Sequence, residues 1–139
     1  MVEVSTDAIV MAVCTVALGA AGPFVHVMCR SAAEGKVMRN SAVGLRTRAT
    51  MASDHAWEVG HRAALPVTRG AAWAVPLLAV AALALALVRG LDGFTEAAVL
   101  ATGGLVGVLT VLAGVMAHRA ARQANLAGGD VASPPDSQA

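Results

Sequence analysis

Asp54, Glu58 and His61 stand at i, i+4 and i+7 in the stretch SDHAWEVGHRAA, a spacing that stacks side chains on one face of a helix. Two carboxylates and an imidazole so aligned have the composition of a divalent-metal site or a proton relay. The competing expectation is a solvated face on which Glu58 pairs with Arg62, and mixed charges on an exposed helix favour it. No metal or other cofactor is therefore assigned, with Asp54, Glu58 and His61 kept as metal candidates. No nucleophile lies beside a base in this set, so catalysis is not expected. Cys14 and Cys29 lack CxxC spacing. On one helix they stand about 22 Å apart, too far to bridge, and serve as small apolar fillers. His26, one turn before Arg30, is ionisable near the end of an apolar run, and simple hydration is the expectation there.

Those residues need an element to carry them. On a helix over 53–64, Asp54, His55, Glu58, His61 and Arg62 fall within an arc of about 120°. Ala56, Trp57, Val59, Gly60, Ala63 and Ala64 fill the other side. Ser53 is a good N-cap, Asp54 suits the positive helix end, and Pro66 closes the segment. The pattern predicts an amphipathic helix lying on the membrane surface or against other helices, with Trp57 at headgroup level. Upstream, Arg46 and Arg48 are suited to lipid phosphate or an acidic partner. Alternatively, Arg46 bonds loop carbonyls and shapes NSAVGLRTRAT, where Gly44 suggests a turn at positive φ. Both readings stay open.

The surroundings are apolar. Of 139 residues, 57% are hydrophobic and 14% charged, against roughly 25% charged in soluble domains. One domain is expected. The net charge of +1 argues against a nucleic-acid binder. Uncharged runs at 8–29, 71–88 and 97–117 approach or exceed the roughly 20 helical residues needed to cross a bilayer. The resulting fold class is an all-α integral membrane protein. It has three transmembrane helices and an amphipathic cytoplasmic helix between the first and second.

Arg30, Lys36, Arg39, Arg46, Arg48, Arg62 and Arg69 fall between the first two runs, and Arg119 and Arg122 follow the third. The positive-inside rule then places the N-terminus (1–7) and the loop 89–96 outside. The motif loop 30–70 and a mostly disordered tail, 118–139, are placed in the cytoplasm. A cleaved signal peptide is not expected, because MVEVSTD is acidic where such a leader is basic.

Helix contacts in lipid rely on small residues. Ala8, Ala12, Thr15, Gly19, Gly22 and His26 form one stripe, Ala79, Ala82 and Ala86 a second, and Gly103, Gly107, Thr110 and Gly114 a third. They suggest a tight three-helix bundle or a self-associating one. Pro23 and Pro76 mark expected kinks.

The string Asn40-x-x-Val43-Gly44-x-Arg46-Thr47-x-x-Thr50, followed by Ser53, Trp57, His61 and Arg62, resembles the SdpI family of bacterial membrane proteins. The family is named for immunity to a secreted, membrane-active killing peptide. The resemblance covers about a quarter of the chain and makes Asn40, Gly44, Arg46, Thr47, Thr50, Ser53, Trp57, His61 and Arg62 the family-motif residues. Arg48 stands where Pro is common, and three spans are fewer than the longer immunity proteins have. The resemblance implies a non-enzymatic, multi-pass protein of the bacterial plasma membrane that gives immunity to, or senses, a membrane-active peptide. The alternative is a small accessory subunit or self-assembling element of a transporter complex. The lipid bilayer is the expected partner, and a membrane-active peptide, a cytoplasmic regulator and a second copy of the chain are candidates.

Overall fold

The computed structural model describes residues 6–39, 42–89 and 94–131. Three helices account for most of them: α1, Thr6–Ala33; α2, Asp54–Arg89; and α3, Phe94–Val131. All three are long and apolar enough to cross a membrane. At 1.5 Å per residue, the 36 residues of α2 and 38 of α3 extend well past a hydrocarbon core of about 30 Å.

The separate amphipathic helix expected over 53–64 does not exist. Its residues are the opening turns of α2, which runs without interruption through Pro66 and into the apolar stretch 71–88. Pro66 removes one N–H from the helical ladder. Ala64, Thr68 and Ala71 are buried on either side of it, and their packing holds the helix through the defect. The tail also differs from expectation, because α3 continues past Ala117 to Val131. Ala121, in this extension, is buried and continues the four-residue spacing of the buried Ala113 and Ala117 before it, so the packed face carries on past Ala117.

The chain divides into two compact units, one comprising 1–26 and 67–111, the other 27–66 and 112–139. In the first, the apolar unit, α1 and α2 meet through small residues. A Cβ added at Gly19 would stand 3.0 Å from the Ala79 methyl. One at Gly22 would collide with the Ala71 carbonyl oxygen and lie 3.1 Å from Val75. Ala8, Thr15 and Ala79 are buried with them. Thr15 satisfies its hydroxyl on the Met11 carbonyl at 2.9 Å. His26 Nδ1 and the Thr68 hydroxyl are 3.1 Å apart, so this histidine bonds protein where hydration was expected. The Thr102 hydroxyl is buried without a hydrogen-bond partner.

The third stripe meets α1 only at its start, where a Cβ added at Gly103 would lie 3.7 Å from Leu18. Gly107 and Gly114 face open space, and Ala98 and Thr102 are the buried positions on that part of α3. Large apolar side chains such as Val13, Phe24, Leu77, Val80, Leu100 and Val108 are exposed, as suits helices solvated by lipid.

Candidate functional site: a hydrogen-bonded clasp

The second, polar unit holds every described residue of the motif; Asn40 lies outside the described residues. Its construction begins where α1 ends. Gly35 takes a left-handed φ of 71°, a conformation that commonly terminates a helix. Lys36 and Val37 then return their N–H groups to the Ser31 carbonyl at 2.9 and 3.3 Å. Arg62, one of the motif positions, donates from Nη2 to the Ala33 carbonyl at 3.1 Å, satisfying an acceptor left over at the helix end. The expected Glu58–Arg62 pair is thus replaced by a link from α2 to the end of α1.

The loop leading to α2 folds around two threonines. The Thr47 N–H donates to the Thr50 hydroxyl at 2.9 Å, and the Thr50 N–H to the Thr47 hydroxyl at 3.2 Å. The Thr50 hydroxyl itself donates to the Leu45 carbonyl at 2.8 Å. Thr50 is wholly buried. Its methyl lies 2.8 Å from where a Cβ on Gly60 would stand, and the Ala117 carbonyl oxygen lies 3.0 Å from that point. Glycine at position 60 therefore lets the loop and α3 close on α2.

Ser53 caps α2 as expected, its hydroxyl accepting from the Ala56 N–H at 3.1 Å. The same hydroxyl donates to Asn125 Oδ1 at 3.2 Å, and Asn125 Nδ2 donates to the Ala49 carbonyl at 3.0 Å. Asn125 ties the loop to α3 and was not among the sequence candidates. Its only advance signal is the Ala113, Ala117, Ala121 repeat leading up to it.

Trp57 and His61 form the centre. Their rings lie 4.1 Å apart between centroids. Trp57 is 2% exposed and His61 0%: Trp57, on the side expected to be apolar, is buried in protein, whereas His61 has left the expected solvated face. The Trp57 indole N–H donates to the Val37 carbonyl at 2.8 Å. His61 Nε2 accepts the Leu45 N–H at 2.8 Å. The ring proton consequently sits on Nδ1, which donates to the Trp57 carbonyl at 2.8 Å. Burial pushes the His61 pKa down, opposed by the bond to the Trp57 carbonyl. Gly44 covers both rings at φ 124°. Two 2.8 Å bonds, one from each ring, therefore clasp the loop to α2, and the third, within α2, fixes the orientation of the His61 ring.

The charged residues take other roles. Arg39 Nε pairs with Asp54 at 2.8 Å, and its Nη1 donates to the Met51 and Ala52 carbonyls at 3.2 and 3.3 Å. Glu34 lies between Lys36 and Arg30 at 2.6 and 2.8 Å, and these two bonds draw its carboxyl down to about 2. Arg46 and Arg48 are exposed. Asp54, Glu58 and His61 do not converge. Asp54 turns to Arg39, Glu58 reaches towards Gly35, and both His61 nitrogens are engaged. No group of three such ligands that could hold a metal exists among the described residues.

Three membrane-crossing helices with a clasped polar loop before the second define a multi-pass integral membrane protein. The SdpI/YfhL protein family model matches residues 36–118, more than half of the chain, including Trp57, His61 and the loop residues they hold. The chain belongs to the SdpI/YfhL family, and membership suggests a membrane protein of immunity type. No curated protein and no solved structure shows a significant match.

Proposed function

We propose that the chain is a non-enzymatic protein of the bacterial plasma membrane that gives immunity to, or senses, a membrane-active peptide. The observation that carries this reading is the family match across 36–118. We take the polar unit to be cytoplasmic and the N-terminus external, on the distribution of Lys and Arg. A peptide arriving from outside then meets the lipid-exposed helices. The clasp keeps the motif loop in one conformation, able to report occupancy to a cytoplasmic regulator.

A second reading, an accessory or self-assembling element of a transporter complex, is supported by the open space beside Gly104, Gly107 and Gly114 on α3. Small residues on an unpartnered face permit close approach of another helix.

The test is expression of the chain in a host challenged with a membrane-permeabilising peptide from the same or a related bacterium. Tolerance should rise with the intact chain and with one lacking 132–139. Trp57→Ala and Arg46→Ala should abolish the gain at equal membrane levels. No gain from correctly inserted protein against any such peptide, together with a stoichiometric larger partner on purification, would favour the accessory reading.

A further inference from the structure

Beside the clasp, the polar unit holds an open cleft of about 290 Å³. Val37, Met38 and Trp57 give it an apolar lining, and Arg39, Asp54 and Glu58 a charged one. Arg39 and Asp54 answer each other at 2.8 Å. Glu58 has no such partner: it forms no hydrogen bond or ion pair with a described residue. Arg62, one turn further along α2, is engaged with the Ala33 carbonyl at 3.1 Å, and Lys36 is held by Glu34 at 2.6 Å.

The position of this carboxylate sharpens the point. Glu58 is half-buried and faces Gly35, also in the lining, where an added Cβ would stand 3.2 Å from its Oε1. The C-terminal end of α1 lies two residues before Gly35 and carries partial negative charge of its own. A charge drawn partly out of water is costly until it is paired. The cleft is therefore complementary to a cation.

Size and lining indicate which cation. Pockets for drug-sized ligands begin at about 300 Å³, so this one suits a single long side chain. Lysine and arginine lay an aliphatic stem on apolar surface while the charged head reaches a polar group. Met38, 76% exposed at the rim, offers apolar contact to the residues flanking such a side chain, which a free amine lacks.

We propose that this cleft receives a lysine or arginine side chain of a partner polypeptide, its cationic head on Glu58 and its stem along Val37 and Met38. The cleft does so whether or not the chain acts in peptide immunity.

The experiment titrates the full-length, isotope-labelled protein in detergent with the capped tripeptides Ala-Lys-Ala, Ala-Arg-Ala and Ala-Gln-Ala, and with butylamine. NMR signals of the Gly35 amide and the Trp57 indole N–H report binding. The two cationic tripeptides should shift both signals saturably, more tightly than butylamine, and Ala-Gln-Ala should not. Glu58→Gln should weaken the binding about tenfold, as expected for the loss of a charge-assisted hydrogen bond. Asp7→Asn, the same change of charge on α1 outside the cleft, should leave it intact. Should Glu58→Gln fail to fold, the intact protein decides alone, by its preference for Ala-Lys-Ala over Ala-Gln-Ala. Equal responses to those two tripeptides would overturn the proposal, as would equal weakening in Glu58→Gln and Asp7→Asn. Butylamine binding as tightly as the cationic tripeptides would mean that the cleft takes free amines, which also overturns it.

Discussion

Replacing Gly44 with alanine should damage the clasp more than any other single methyl addition among the glycines of the polar unit. An added Cβ would lie 2.6 and 2.8 Å from two carbons of the Trp57 ring and 3.0 Å from His61 Nε2. Both rings are fully buried and hydrogen-bonded, so neither can yield without losing a bond to the loop. The φ of 124° adds a backbone penalty of about 1–3 kcal/mol for any residue with a Cβ. Overpacking against rigid rings adds a similar amount, about 1–3 kcal/mol. The sum, about 2–6 kcal/mol, is a large fraction of the 5–15 kcal/mol typical of a folded domain. Unfolding in detergent, followed by Trp57 emission with Trp73 replaced by Phe, is the assay. Gly44→Ala should lower the midpoint and shift Trp57 emission to the red. Gly70→Ala is the control, because nothing lies within 4 Å of its added Cβ and alanine in a helix gains up to about 1 kcal/mol. Equal midpoints for Gly44→Ala and the intact protein would refute the packing argument.

Acid should loosen the clasp through His61. Its folded pKa lies below the ordinary 6.5, so the unfolded chain takes up the proton first. Its contribution is complete above about pH 6.5 and is lost as pH falls towards the folded value, with a slope of up to about 1.4 kcal/mol per pH unit. Stability measured between pH 7.5 and 5 should fall more steeply in the intact protein than in His61→Phe, and equal slopes would remove His61 from the account. The proposed orientation is tested separately: with Cys14 and Cys29 replaced, a cysteine at Asp92 should react with an impermeant thiol reagent on whole cells. A cysteine at His55 should not, and the reverse pattern would invert the topology.

The three spans were legible because bilayer thickness sets their length without reference to tertiary contacts. The α1 stripe was legible for a related reason: Gly19 and Gly22 offer the closest approach along an otherwise bulky helix. The clasp was legible only as a collection of residue types. A helical projection puts His61 on the polar arc, and what buries it is a loop residue sixteen positions earlier. Asn125 acts on Ala49 across 76 positions, a separation that local pattern does not reach. Pro66 misled in the opposite direction, because the local cost of a missing N–H was weighed without the burial of Ala64 and Thr68 beside it.

The central claim is that the motif residues fasten a loop to the start of α2 through the two adjacent rings of Trp57 and His61. Hydrogen exchange observed by NMR tests it most directly, at the Leu45 amide and the Trp57 indole N–H of the full-length protein in lipid nanodiscs at neutral pH. Both protons should exchange at least about 100-fold more slowly than in an unstructured peptide, since each would require the clasp to open first. In His61→Ala the Leu45 amide should lose that protection. Exchange of both protons at the unstructured rate in the intact protein would contradict the account.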